Sequence, residues 1–231
     1  MHYRFNLDSM KHIFSLSFFV LISISKAQEL VPDGGFENVQ RLPTKESNHI
    51  FCTKNWVTPN ATNADYYHKD AEDGAVSVPL NRFGKQEPHS GKAYAGICIE
   101  ENFIEYIESP LTQTLEKDKE YLIEFYISQA DFRLDKVKEF GLMFLDKVRF
   151  SYSKRGIPNK PPVNFYLKKG YKNNKDWVKL SATYVAEGWE GAIILGYFNY
   201  DYPKGFPKKA HYYIDDVSIT EVIHVNSTKG K

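Results

Sequence analysis

The side chains that sugar recognition requires gather between positions 66 and 94: Tyr66, Tyr67, His68, Asn81, Phe83, Gln86, His89 and Tyr94. Exposed aromatic rings stack on the flat faces of sugars, and planar polar groups beside them read the hydroxyls. The stretch from Asn81 to Ser90 reads as a loop, where binding residues collect. These residues form the candidate ligand-binding site. The competing reading makes Pro88-His89-Ser90-Gly91 a plain turn, with His89 bonded to backbone and Tyr94 in the core.

Catalytic chemistry finds less support. No G-x-S-x-G elbow is present for a nucleophilic serine. Asp215 and Asp216 are adjacent, and neighbours on a strand point to opposite faces, so they would not flank one bond. His211 and His224 lack the spacing of zinc ligands. With no acid, base and nucleophile assembled, a non-enzyme is expected.

The elements that must position these residues are strands. Glu120 to Ser128 alternates, with Tyr121, Ile123, Phe125 and Ile127 on one face. Trp177 to Tyr184 places Val178, Leu180, Ala182 and Tyr184 inward in the same way. Ala192 to Tyr200 and His211 to Thr220 follow, parted by a Pro- and Gly-containing loop. Further strands are predicted near Gly35–Asn38, Ile50–Val57, Ala93–Glu100, Phe103–Glu108 and Gly141–Phe150. Ser153 to Lys175, with Pro158, Pro161 and Pro162, reads as a long exposed connection. Short strands with frequent turns and no sustained helical period point to an all-β sandwich or barrel.

At the N-terminus, Lys11-His12, the apolar run Ile13–Ile24 and Ser25-Lys26-Ala27 match a cleavable signal peptide, residues 1–27, with Met1 or Met10 as the start. The run is too short for a bilayer span. Gln28 follows the cut, so a lipid-anchored cysteine is not expected. Loss of Arg4, Lys11, Lys26 and Asp8 leaves 27 basic and 28 acidic residues, net −1. Such a balance gives no reason to expect nucleic acid or an anionic membrane as partner. No transmembrane segment is expected in the mature chain, which reads as one domain over 28–222 with a polar tail at 223–231. Cys52 and Cys98 either pair in an oxidising compartment or stay as two thiols.

Three patterns carry a resemblance: Leu30-Val31-Pro32-Asp33-Gly34-Gly35-Phe36-Glu37 near the start, Tyr212 to Ile219 near the end, and Val78–Gly84 leading into Gln86–Ile97, with Ala64–His68 upstream. The outer pair resembles the first and last strands of jelly-roll carbohydrate-binding modules of the galactose-binding-like group. The middle resembles the N-terminal module of OmpA-like outer-membrane proteins of the Bacteroidetes. The resemblance implies a jelly-roll β-sandwich and an exported setting: periplasm, outer-membrane surface or extracellular space. It also implies a structural calcium held by the Gly35 carbonyl, the Glu37 side chain and an Asp of the Asp215-Asp216 pair, the oxygen-rich set that calcium favours. The alternative there is that Asp215 faces solvent and Asp216 bonds to backbone in a turn. The chain departs from the OmpA-like pattern in stopping soon after the last strand. It is therefore expected to be a free-standing or truncated module without the peptidoglycan-binding domain. The function expected is a non-catalytic module that recognises extracellular or cell-surface carbohydrate. The alternative is an envelope domain that recognises protein.

Overall fold

The computed structural model describes residues 28–46, 49–132, 135–168, 175–198 and 207–224. The expected signal peptide and most of the expected tail lie outside the described residues. The strands among them are β1 (Asp65–His68), β2 (Leu80–Asn81), β3 (Gly84–Lys85), β4 (Ala93–Glu100), β5 (Phe103–Ile104), β6 (Tyr106–Pro110), β7 (Glu120–Gln129), β8 (Glu139–Leu145), β9 (Val163–Tyr166), β10 (Val178–Val185), β11 (Ala192–Gly196) and β12 (Ala210–Glu221).

The architecture is a jelly-roll β-sandwich. The larger sheet has the order β1-β4-β12-β7-β10, with β5 hairpinned onto β4. The smaller has the order β6-β11-β8-β9, and β2-β3 is a separate hairpin. The strand pairings within these sheets are all antiparallel. From β4 onward the chain passes back and forth between the two sheets, so their inner faces are built from interleaved segments.

Alternation decides which residues meet in the middle. Tyr121, Ile123, Phe125 and Ile127 of β7 are buried, while Glu120, Leu122, Glu124 and Tyr126 are half-buried. Rings from the two sheets interlock: Phe125 lies edge-on to Phe165 at 4.8 Å, Tyr212 edge-on to Phe140 at 5.1 Å, and Tyr184 stacks on Phe144 at 4.5 Å. Each fully buried ring contributes about 1.5–3 kcal/mol of transfer free energy.

The outer faces are covered too. On the larger sheet, the excursion between β1 and β4 folds back over Tyr67, Tyr94 and Tyr213, packing Ala71, Val76 and Val78 against them. On the smaller sheet, Ile157 packs over Tyr106, Ile194 and Met143, beside Ile104 and Phe198.

The structure corrects several predicted elements. Gly35–Asn38 is a turn, not a strand, because Asp33 accepts the backbone N–H groups of Glu37 and Asn38 and holds the chain curled. Ile50–Cys52 is a single 3-10 turn, and no strand runs on to Val57. The connection 153–175 contains β9, whose Val163 and Phe165 are buried. Its two preceding prolines mask a strand that begins just after them.

Phe125→Ala should cost about 3–5 kcal/mol in denaturant unfolding, because it empties a ring-sized space between the sheets. Tyr166→Ala, on the exposed side of β9, should change stability by less than about 0.5 kcal/mol.

Candidate functional site

Of the eight residues singled out for sugar recognition, Tyr67, Asn81, Phe83, Gln86 and Tyr94 gather on the outer face of the larger sheet, Tyr66 and His68 lie on its inner side, and His89 stands on an exposed turn. Tyr66, Tyr67 and Tyr94 are completely buried. Tyr66 projects inward and its hydroxyl donates to the Phe36 carbonyl at 3.0 Å. Tyr67, Tyr94 and Tyr213 form a ring triad with centroids 4.9–5.5 Å apart. Asn81 is buried over it: its Nδ2 donates to Tyr94 Oη at 2.9 Å and its Oδ1 accepts from Tyr213 Oη at 2.9 Å. Gln86 Oε1 accepts from Ser128 Oγ at 2.6 Å, and His68 Nδ1 accepts the Asp70 N–H at 3.0 Å. Phe83, half-buried, stacks on His211 at 3.9 Å. The ring of His89 lies flat on Tyr126 at 3.5 Å. Tyr66, Tyr67 and Tyr94, the expected stacking rings, are therefore closed off as structure, while Phe83 is half-buried and His89 exposed. A tyrosine that seals a sheet and one that faces a ligand are the same letter in a sequence.

Beside these rings lies a charge cluster that the sequence reading missed. Arg82 Nη2 pairs with Asp65 Oδ1 at 2.7 Å, and Tyr67 Oη donates to Asp65 Oδ2 at 2.9 Å. Burial, with Asp65 second, pushes the Glu105 carboxyl well above its ordinary range. Burial, then the charges of Arg82 and Lys209, push His211 down to about 3, so its imidazole is neutral. The cluster pins the β2-β3 hairpin to the larger sheet, with Asp65 buried and Arg82 reaching it from the exposed side.

The residues of the implied calcium site also converge. A β-bulge interrupts β12 between Asp215 and Ser218, with Asp216 at φ 48°. The bulge turns both carboxylates to the same turn, correcting the expectation of opposite faces. Asp215 Oδ2 accepts the His89 N–H at 2.8 Å, Asp216 Oδ1 accepts from Ser90 Oγ at 2.7 Å, and Asp216 Oδ2 meets His89 Nδ1. Glu37 Oε1 accepts the N–H groups of Lys92 and Ala93 at 2.7 and 3.1 Å. Gly35 stands between them, 3.3 Å from Asp216 Oδ1 to where its Cβ would be. The donor types suit calcium, and in this structure their oxygens are engaged by protein donors. Asp216 turns both oxygens to protein donors, Glu37 Oε1 carries two amides, and among the described residues no three His, Cys, Asp or Glu side chains are placed to hold a metal. The clasp is closed by N–H and O–H donors. Cys52 and Cys98 are separate thiols, the first buried in the core and the second beside Glu100, so the disulfide alternative is also corrected.

An open site lies elsewhere, on the outer face of the smaller sheet. A cleft of about 380 Å³ runs between that face and the segment after β8, with Met143, Leu145 and Ile194 as its floor and Arg149, Phe150, Arg155 and Asn159 among its walls. Phe150 lines it and is 55% exposed, and Tyr152, outside the lining and 91% exposed, meets the Phe150 ring edge-on at 5.2 Å. Backbone hydrogen bonds fix this segment: Ser151 N donates to the Pro59 carbonyl at 2.8 Å and Ala61 N to the Ser153 carbonyl at 3.0 Å. Asn60 is buried against it, its Nδ2 donating to the Ile104 carbonyl at 2.9 Å. A second depression, of about 410 Å³, is lined by Gln40, Arg41, Phe51 and Trp56. It offers one half-open ring, Phe51 at 40%, since Trp56 is 1% exposed.

Glu108 shares the face of the first cleft, because it pairs across the ladder with Ile194, which pairs with Met143. It is fully buried. Its Oε1 accepts the Arg149 N–H at 2.9 Å and its Oε2 has no hydrogen-bond partner. Burial pushes its carboxyl up to about 7 against the lowering effect of the Arg149 N–H.

No family model matches the chain, and no curated protein matches it in sequence. Among solved structures, the xylan-binding CBM22-1 domain of Paenibacillus barcinonensis Xyn10C is similar with a TM-score of 0.44 and 14% identity, over 83% of this chain and 94% of that domain. The CBM22-1–CBM22-2 tandem of the same Xyn10C is similar with a TM-score of 0.45 and 16% identity, over 90% of this chain, which spans 49% of the tandem. The K3 cleaved adhesin domain of Lys-gingipain from Porphyromonas gingivalis w83 gives 0.41 and 12%, over 84% of this chain and 96% of that domain. The reading of the cleft rests on its own residues.

Glu108 carries a pH signature. Its native form favours the proton, so the stability it permits is full below its ordinary value of 4.5 and falls as pH rises through about 7. Glu108→Gln should match the parent in melting temperature near pH 4 and exceed it above pH 7, where its stability gain is on the order of 2 kcal/mol. Thermal melts across that range check it.

Proposed function

We propose that this chain is an exported, non-catalytic carbohydrate-binding module whose sugar site is the cleft on the outer face of the smaller sheet. The observation that carries the reading is the exposed Phe150–Tyr152 pair, held beside the cleft by backbone hydrogen bonds to residues 59–61. Rings this exposed gain nothing for the fold where they stand. Fixed in place, they offer a stacking surface at low entropic cost. The apolar floor of Met143, Leu145 and Ile194 suits the C–H face of a pyranose, and Asn159 with the guanidinium groups of Arg149 and Arg155 supplies hydroxyl-reading donors. Export rests on the signal pattern at residues 11–27. An envelope setting rests on the resemblance to OmpA-like proteins.

The test is affinity electrophoresis and calorimetry of the purified chain against a panel of soluble polysaccharides. Tyr152→Ala and Phe150→Ala should each weaken the binding found by about tenfold, as loss of one ring contact predicts. Both should leave the melting temperature unchanged within about 2 °C, because both rings are largely exposed. Full affinity in the double variant would remove the cleft as the site.

A further inference from the structure

We propose that the cleft takes an acidic polysaccharide, one bearing carboxylate or sulfate groups on its sugars, with Arg155 as the anion-recognising residue. The inference rests on the glycan reading above and adds the class of ligand.

Charge carries it. The charged side chains lining the cleft are Arg149 and Arg155, and no carboxylate lines it. The segment 146–160 that forms the wall holds Lys147, Arg149, Lys154, Arg155 and Lys160 against one acid, Asp146. The chain beyond the signal segment is almost balanced, with 27 basic and 28 acidic residues, so the wall of the cleft is more basic than the chain as a whole. The two arginines also differ. Arg149 Nη2 is already paired with Asp146 Oδ1 at 2.6 Å. Arg155 forms no ion pair among the described residues, although its backbone is held by Ser153 Oγ at 3.1 Å. An exposed, backbone-anchored guanidinium without a partner is poised for a bidentate contact to a carboxylate or sulfate. The ring of Phe150, in the same wall, with Tyr152 edge-on to it, would stack on the sugar that carries the anion. The buried carboxyl of Glu108 lies on the same sheet face but is absent from the lining, so it does not present a competing charge at the surface.

A solvated basic loop would show the same composition but no preference among sugars of equal shape. The test therefore uses matched pairs. The purified chain is titrated with polygalacturonate and with its fully methyl-esterified form, which keeps the backbone and removes the charge. It is then titrated with a sulfated galactan and with the same galactan after desulfation. Inorganic polyphosphate serves as a polyanion with no ring to stack. Supporting results are a preference of about tenfold or more for the charged member of either pair and its loss in Arg155→Gln. Arg155→Lys should recover only part, since an ammonium cannot form the two-pronged contact. Raising salt from about 0.05 M to about 0.5 M should weaken the charged ligand alone. Which pair responds separates carboxylate from sulfate. Equal binding of charged and neutral members overturns the inference and leaves the glycan module standing. Tighter binding of polyphosphate overturns the inference by making the cleft a general anion site. Binding to no polysaccharide overturns both readings. Arg155 is exposed, so an unchanged melting temperature in Arg155→Gln will show that any loss of binding is local.

Discussion

Strands β4, β11 and β12 are buried on both faces, and that double burial governs the rest of the molecule. A two-sheet sandwich covers only the inner faces. Here each outer face needs a cover as well, because unpaired apolar surface on a sheet is costly to expose. The larger sheet takes its cover from the excursion between β1 and β4. The smaller takes its cover from the segment between β8 and β9. The result is three apolar clusters. Where a cover is complete, the aromatic residues beneath it are structural. Where the second cover stands off the sheet, a cleft remains.

Carboxylates do a second kind of structural work. Turns and covers leave backbone N–H groups without partners, and each one buried needs an acceptor. Asp33 takes the N–H groups of Glu37 and Asn38. Glu37 takes those of Lys92 and Ala93, and Asp215 takes that of His89. Glu190 is fully buried and takes those of Glu187, Gly188 and Trp189 together with the Tyr184 hydroxyl. Charge-assisted bonds of this kind are about twice as strong as neutral ones. They tie the first described segment, the turn at 88–92 and the bulge of β12 into one unit. A similar choice of acidic residues could ligate a cation. Here the oxygens are spent on amides, hydroxyls and an imidazole.

The longer strands were legible from their alternation. The inward set Tyr121, Ile123, Phe125 and Ile127 needed nothing but period two. Two shorter strands were not legible. β1 is buried at all four positions, so it shows no alternation, and β9 follows a pair of prolines that reads as loop. The candidate site was legible only in kind. An aromatic and amide-rich stretch at 66–94 was visible, and so was a basic, proline-rich stretch at 153–175. The second read as an exposed connection rather than as part of a site, and the burial of Tyr66, Tyr67 and Tyr94 was not visible, because burial depends on what folds over a residue rather than on the residue.

By itself, the sequence determined the class of fold and the inner face of the long strands, since period-two patterning leaves no other way to bury those side chains. It also determined that Gly35, Glu37, Asp215 and Asp216 belong together, through the resemblance of the first and last segments. Tertiary structure decided what each group does. The bulge at Asp216 redirected two carboxylates that an ideal strand would have splayed apart. The cover on the larger sheet turned Tyr67 and Tyr94 from a platform into a core. The stand-off of the 146–160 segment left Phe150, Tyr152 and Arg155 in solvent. Each outcome depends on contacts between segments far apart in the chain, and local pattern carries no record of such contacts.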